Sequence, residues 1–201
     1  MPANDDAPIP PAKGELLLRL ARLTLAEKLQ CGLTPADEDA RRAALEDPGL
    51  QPVRATFVTL KRAGELRGCI GTLCACDPLA ESVRRNARNA AFCDPRFPPL
   101  TAAELAGVTI EVSVLSEPRR LEASGAEELL RRLRPGVDGV VLRKGGAGAT
   151  FLPQVWEQLP RKEDFLKHLC LKAGLPRDAW RDAGTEVSTY QVQHFEEGEP
   201  G

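Results

Sequence analysis

Aromatic side chains make up only 4% of the 201 residues, so the stacking platforms of single-strand nucleic-acid binders are missing. Positive charge is not in excess either. Twenty-seven Lys and Arg against 29 Asp and Glu give a formal charge of −2, which leaves no basic footprint for nucleic acid. No apolar run reaches membrane-spanning length. The opening stretch MPANDDAPIPPAK is acidic and proline-rich, without the basic-then-apolar order of a signal peptide. These absences point to a soluble cytoplasmic protein with neither nucleic acid nor membrane as a partner. The C-x2-C pairing of a structural zinc site is also missing, and so is any ferredoxin spacing. Cysteines stand at 31, 69, 74, 76, 93 and 170. With no export signal and a chain too large to need staples, reduced thiols are expected, and no metal.

What is present is an ordinary globular composition. At 42% apolar residues the chain can build a sizeable core, as one domain or as two intimate subdomains sharing that core. Residues 1–13 and 198–201 read as disordered tails flanking a single domain over 14–197. Gly14 to Cys31 reads as a helix striped by Leu18, Ala21, Leu25 and Leu29, with Gly32 as its stop. A short helix is expected near Asp39 to Leu45. Val53 to Leu73 reads as a β-hairpin turning at Arg62-Ala63-Gly64-Glu65. Asp77-Pro78 predicts an N-cap with proline at the first helical position, opening a helix to about Phe92.

Downstream, Asp94-Pro95-Arg96-Phe97-Pro98-Pro99 excludes helix and central strand, because its prolines remove donors and fix the backbone. Thr101 to Glu104 is a capping box. Gly107 to Ser116 alternates, with Val108, Ile110, Val112 and Val114 on one side and Thr109, Glu111, Ser113 and Leu115 on the other. A second capping box at Ser124 to Glu127 introduces a helix carrying Leu129, Leu130 and Leu133. Strands at 138–143 and 150–152 flank a glycine run, Arg161 to Ala173 reads as a helix ending at Gly174, and Glu186 to Phe195 closes as one last strand. Strands in hairpins, without regular βαβ units, predict an α+β fold: an antiparallel β-sheet covered by helices.

The most informative stretch is Leu66-Arg67-Gly68-Cys69-Ile70-Gly71-Thr72. Gly68 and Gly71 bracket Cys69, so backbone or ligand can come close to the sulfur. The same pattern also describes a bulge around a small buried cysteine. If chemistry is done here, Cys69 is the nucleophile candidate, and Arg67 shares its face on an ideal strand. Glu111 and Ser113 share a face on another strand; that face is either part of a site or simply solvated. Asp94 and Arg96 in the proline-fixed segment either hold a ligand or form a local ion pair capping the preceding helix. His168 and Lys172, one helical turn apart, either line a cleft together or are solvated.

At this point the chain resembles the AMMECR-type domain family, often called AmmeMemoRadiSam system protein A in bacteria and archaea. The resemblance covers about Gly14 to Glu197. It is carried by the stretch 66–71, by 90–100 (AAFCDPRFPPL), by 110–116 (IEVSVLS), by Phe151 to Val155 (FLPQV) and by 165–175 (FLKHLCLKAGL). Where many members carry His-Gly before a strand, this chain has Asp138-Gly139, so that histidine's role does not transfer. The resemblance implies a larger and a smaller lobe with a cleft between them. It also implies a Memo-type protein and a radical S-adenosylmethionine enzyme as partners, no cofactor and no established activity. Two functions follow as expectations. One is a module binding an unknown small-molecule ligand or a partner protein, which needs fewer assumptions. The other is a thiol-dependent enzyme or accessory subunit using Cys69.

Overall fold

A computed structural model describes residues 7–198. They form seven α-helices and two four-stranded antiparallel sheets, the α+β class that the hairpin pattern predicts. The described residues divide into two compact units, 7–115 with 193–198 and 116–192. Each has its own cluster of buried apolar side chains.

In the first unit, helices α1 (Pro11–Lys28) and α3 (Leu79–Phe92) pack on a sheet ordered β2-β1-β3-β8. Helix α2 (Pro35–Glu46) starts on Thr34, whose hydroxyl accepts from the Asp37 N–H in a complete capping box. Strands β1 (Thr56–Arg62) and β2 (Glu65–Gly71) are joined by a two-residue turn, with Ala63 and Gly64 both at positive φ. That is the turn whose twist matches paired strands. Strand β3 (Val108–Leu115) pairs with β1 on its other side, Val58 opposite Val112 and Leu60 opposite Ile110. Those four side chains are fully buried against the helices. Strand β8 (Val192–Glu196) completes the sheet.

In the second unit, the sheet runs β4 (Arg119–Arg120), β7 (Glu186–Tyr190), β5 (Gly139–Lys144), β6 (Ala147–Phe151). Helix α7 (Lys162–Lys172) buries Phe165, Leu166 and Leu169, and Gly174 at positive φ follows it as predicted.

Several boundaries differ, each for a local reason. Helix α1 begins at Pro11 and Ile9 is already buried, so the stretch read as disordered does not extend to residue 13; its residues 1–6, and residues 199–201 of the other end, lie outside the described ones. The same helix ends at Lys28, and Gln30 itself takes the left-handed conformation ahead of Gly32. Pro78 is the cap residue of α3 and not its first helical residue; the Asp77 carboxylate pairs with Arg85. At α5 (Ala126–Arg132) the Ser124 N–H and hydroxyl are held by Glu128, not Glu127. The single last strand is two, β7 in the second sheet and β8 in the first.

Candidate functional site

Strand β2 lies at the edge of its sheet, where outward-facing backbone groups lack a neighbouring strand. At Cys69 those groups are nevertheless satisfied. Its N–H donates to Asp94 Oδ2 at 2.9 Å, and its carbonyl accepts from Arg96 Nη2 at 3.3 Å. The Asp94–Arg96 fork thus stands in for one residue of an absent strand. Asp94 also accepts from the Arg96 backbone N–H at 3.1 Å, from Nε at 3.0 Å and from Nη2 at 2.7 Å. The Arg96 guanidinium holds the buried carboxyl well below the usual carboxylate range, ahead of the opposing effect of burial. The ion pair expected of these two residues is real, but it clamps the proline-fixed segment to the cysteine strand.

The face of the sheet turned away from α1 and α3 is half-polar. In register across β2, β1 and β3 lie Cys69, Thr59 and Glu111, then Gly71, Phe57 and Ser113. Two strand spacings separate Cys69 from Glu111, about 10 Å, inside the roughly 12 Å that a small ligand spans. Thr59 Oγ1 donates to Cys69 Sγ at 3.3 Å. Cys69 is half-buried, and its sulfur belongs to this face. On the far side of β3, Ser113 Oγ lies 3.1 Å from His194 Nδ1 and 3.3 Å from Glu111 Oε1. His194 Nδ1 is itself 3.3 Å from Glu111 Oε1. Hydroxyl and carboxylate thus meet the same imidazole nitrogen. A Ser–His–acid relay instead needs them on opposite ring nitrogens, so this cluster is a hydrogen-bonded knot.

Lys61 Nζ closes the knot, 3.0 Å from Glu111 and 2.8 Å from Glu196. The hydrogen bond from His194 and then Lys61 lower the Glu111 pKa from 4.5 to about 2 against the effect of burial. The folded chain therefore holds this proton less tightly than the unfolded chain. The stability that Glu111 supplies is complete above pH 4.5 and drains as the pH falls towards 2. It amounts to about 1–3 kcal/mol. Thermal melts from pH 7 to 2.5 should show Glu111→Gln well below the wild type at neutral pH and the two converging in acid. An unchanged gap at pH 2.5 would remove Glu111 from the acid transition.

The remaining predicted residues are placed as follows. Arg67 does not serve the Cys69 thiol. A register shift opposite Leu60 and Lys61 makes it the extra residue of a bulge. It binds Glu104 at 3.1 and 3.3 Å and lies 6.0 Å from the Phe97 ring. Its Nη1 is buried without a hydrogen-bond partner among the described residues. Arg67, followed by the Thr101 backbone, brings the Glu104 pKa down to about 2. At Gly68 and Gly71 the space on the Cβ side is filled by the protein itself. A Cβ at Gly68 would sit 2.2 Å from the Ala90 carbonyl oxygen of α3, and one at Gly71 would sit 2.3 Å from the Phe57 ring.

His168 and Lys172 belong to the second unit. The His168 ring nitrogen Nδ1 meets the Asp164 carbonyl at 2.8 Å, while Lys172 donates to the Thr150 carbonyl at 3.0 Å over the Phe151 ring. Asp138, at the position where the resemblance has a histidine in many members, is buried. It accepts from the Arg134 backbone and guanidinium and from Gln191. Thr59, Lys61, Glu104 and His194 escaped the sequence reading. His194, one of only two histidines in the chain, carried a signal in its rarity; Thr59 and Lys61 carried one in their alternation with buried Val58 and Leu60.

A family model described as AMMECR1 matches residues 18–195. A protein of Methanopyrus kandleri is 38% identical over 196 residues, covering 94% of this chain and 90% of that one. A protein of Thermococcus onnurineus is 39% identical over 197 residues, covering 93% and 91%. The crystal structure of an uncharacterized protein from Pyrococcus horikoshii superposes with a TM-score of 0.76 at 37% identity, covering 94% of this chain and 93% of that one.

Proposed function

The chain belongs to the AMMECR1 family, and from that premise we propose that it is a binding module. Its recognition surface is the polar face of the first sheet, where Cys69, Thr59, Lys61, Glu111 and Ser113 offer a thiol, hydroxyls and both signs of charge. One observation carries this reading. The imidazole of His194 and the thiol of Cys69 stand on β8 and β2, at opposite edges of the sheet. Three strand spacings, about 14 Å, lie between them, beyond the reach of proton transfer from thiol to imidazole. The face can therefore recognise a ligand without the base that would activate its cysteine. A Memo-type protein and a radical S-adenosylmethionine enzyme are the partners that the family resemblance implies, with a small polar molecule as the alternative occupant.

A thiol-dependent activity is the second reading. It is favoured by the half-buried Cys69 sulfur accepting a hydrogen bond from the Thr59 hydroxyl at 3.3 Å, which orients it on the polar face. One pair of variants separates the two. Cys69→Ser is expected to stay folded, losing about 1–2 kcal/mol, and to bind the partner proteins within a few-fold of wild type. Glu111→Gln is expected to weaken that binding at least about tenfold, about 1.4 kcal/mol. Calorimetric titration with each partner measures both. Unchanged binding by Glu111→Gln would overturn the recognition face. Loss of partner-dependent turnover in Cys69→Ser, with binding intact, would establish the thiol reading.

A further inference from the structure

Away from the cysteine face, the outer side of α3 forms one wall of a groove of about 640 Å³. That volume lies within the range of small-molecule sites, about 300–1,000 Å³. Lys28, from the last turn of α1, and Arg84, Arg85 and Arg88, from α3, line it, together with Asp77 and Glu81. Four cations against two carboxylates leave the groove positive in a chain whose formal charge is −2.

The pairing within the groove is uneven. Arg84 is held by Glu81 at 2.9 Å and Arg85 by Asp77. Lys28 and Arg88 have no carboxylate partner among the described residues and are exposed. Surface ion pairs of the Arg84 and Arg85 kind are worth about 0–1 kcal/mol, so an incoming anion can recruit those guanidinium groups at small cost. Phe92 and Pro78 add an apolar wall.

We infer that this groove binds a small phosphate ester. Lys28 and Arg88 meet the phosphate, Arg84 and Arg85 turn to it from their carboxylates, and Phe92 packs on the organic part. Guanidinium groups match phosphate oxygens in a two-pronged geometry, and several of them distinguish a doubly charged phosphate from a single carboxylate. This inference does not rest on the sheet-face reading, since none of these residues lies on that face.

Inorganic pyrophosphate, titrated calorimetrically at low salt, is the first probe, with phenyl phosphate as the second. Wild type is expected to bind both, phenyl phosphate losing affinity in Phe92→Ala. Lys28→Glu combined with Arg88→Glu is expected to weaken pyrophosphate binding at least about thirtyfold, the scale on which a few phosphate contacts alter affinity. Both positions are exposed and unpaired, so the double variant should melt with the wild type. Absence of pyrophosphate binding, or undiminished binding by the double variant, overturns the inference. So does binding of a hexaglutamate peptide in preference to pyrophosphate, which would make the groove a dock for an acidic protein segment.

Discussion

Replacing Asp94 by Ala is expected to cost about 2–4 kcal/mol, the largest effect of any single polar substitution in the first unit. The carboxylate is only 2% exposed, and its four hydrogen bonds come from the Cys69 N–H and from the backbone and side chain of Arg96. Truncation leaves the Cys69 N–H unpaired at a strand edge and frees the segment after α3 from β2. Because Arg96 is half exposed, its guanidinium can return to water. This keeps the loss below that of a fully buried pair. Asp94→Asn should fall between, since an amide keeps the shape but lacks the charge that Arg96 meets. Chemical denaturation gives the magnitude, and hydrogen exchange gives the location. The Cys69 amide should lose its protection while amides at the centre of β1 keep theirs. A variant with native stability and a protected Cys69 amide would show that the fork is dispensable.

The hairpin of β1 and β2, the strand β3 and the helices α3 and α7 were legible because their signals are local. Thr56 to Arg62 alternates, Gly64 supplies the turn, and Gly174 stops α7. The break between β7 and β8 was not legible. Glu186 to Phe195 reads as continuous strand, and only long-range pairing decides that Tyr190 joins one sheet and Val192 the other. The helix start at Pro11 was hidden by its prolines, which look like a tail but fit a first turn.

The site was partly legible for the same reason. Cys69, Glu111 and Ser113 stand out as unusual groups within apolar alternation, and the register sets them on one face of one sheet. A period of two puts Arg67 on that face, but a bulge interrupts the period without any mark in the sequence. Its partner Glu104 was visible only as a capping residue. In fact it does both, closing the box at Thr101 and binding Arg67. The role of His194 depends on β8 lying beside β3, a pairing between residues more than 80 positions apart.

Gly68→Ala should destabilise the protein by about 2–4 kcal/mol, more than an ordinary glycine-to-alanine change within a strand. The added Cβ would stand 2.2 Å from the Ala90 carbonyl oxygen and 3.1 Å from its carbon. Both atoms belong to the backbone of α3, which cannot yield without lifting the helix off β2. Gly68 is not at positive φ, so the cost is one of space and not of backbone strain. Gly71→Ala meets the Phe57 ring at 2.3 Å and the Thr56 carbonyl at 2.4 Å. That oxygen belongs to the backbone of the paired strand β1 and cannot swing aside, so a comparable loss, about 2–4 kcal/mol, is expected. Gly107→Ala meets nothing nearer than 3.7 Å and is not at positive φ, so it should melt within a degree or two of wild type. Thermal melts of the three variants test this order. If Gly68→Ala were no worse than Gly107→Ala, the contact between β2 and α3 would have to be looser than 2.2 Å implies. The glycines beside Cys69 would then regain the role that the sequence suggests for them, room for a ligand next to the thiol.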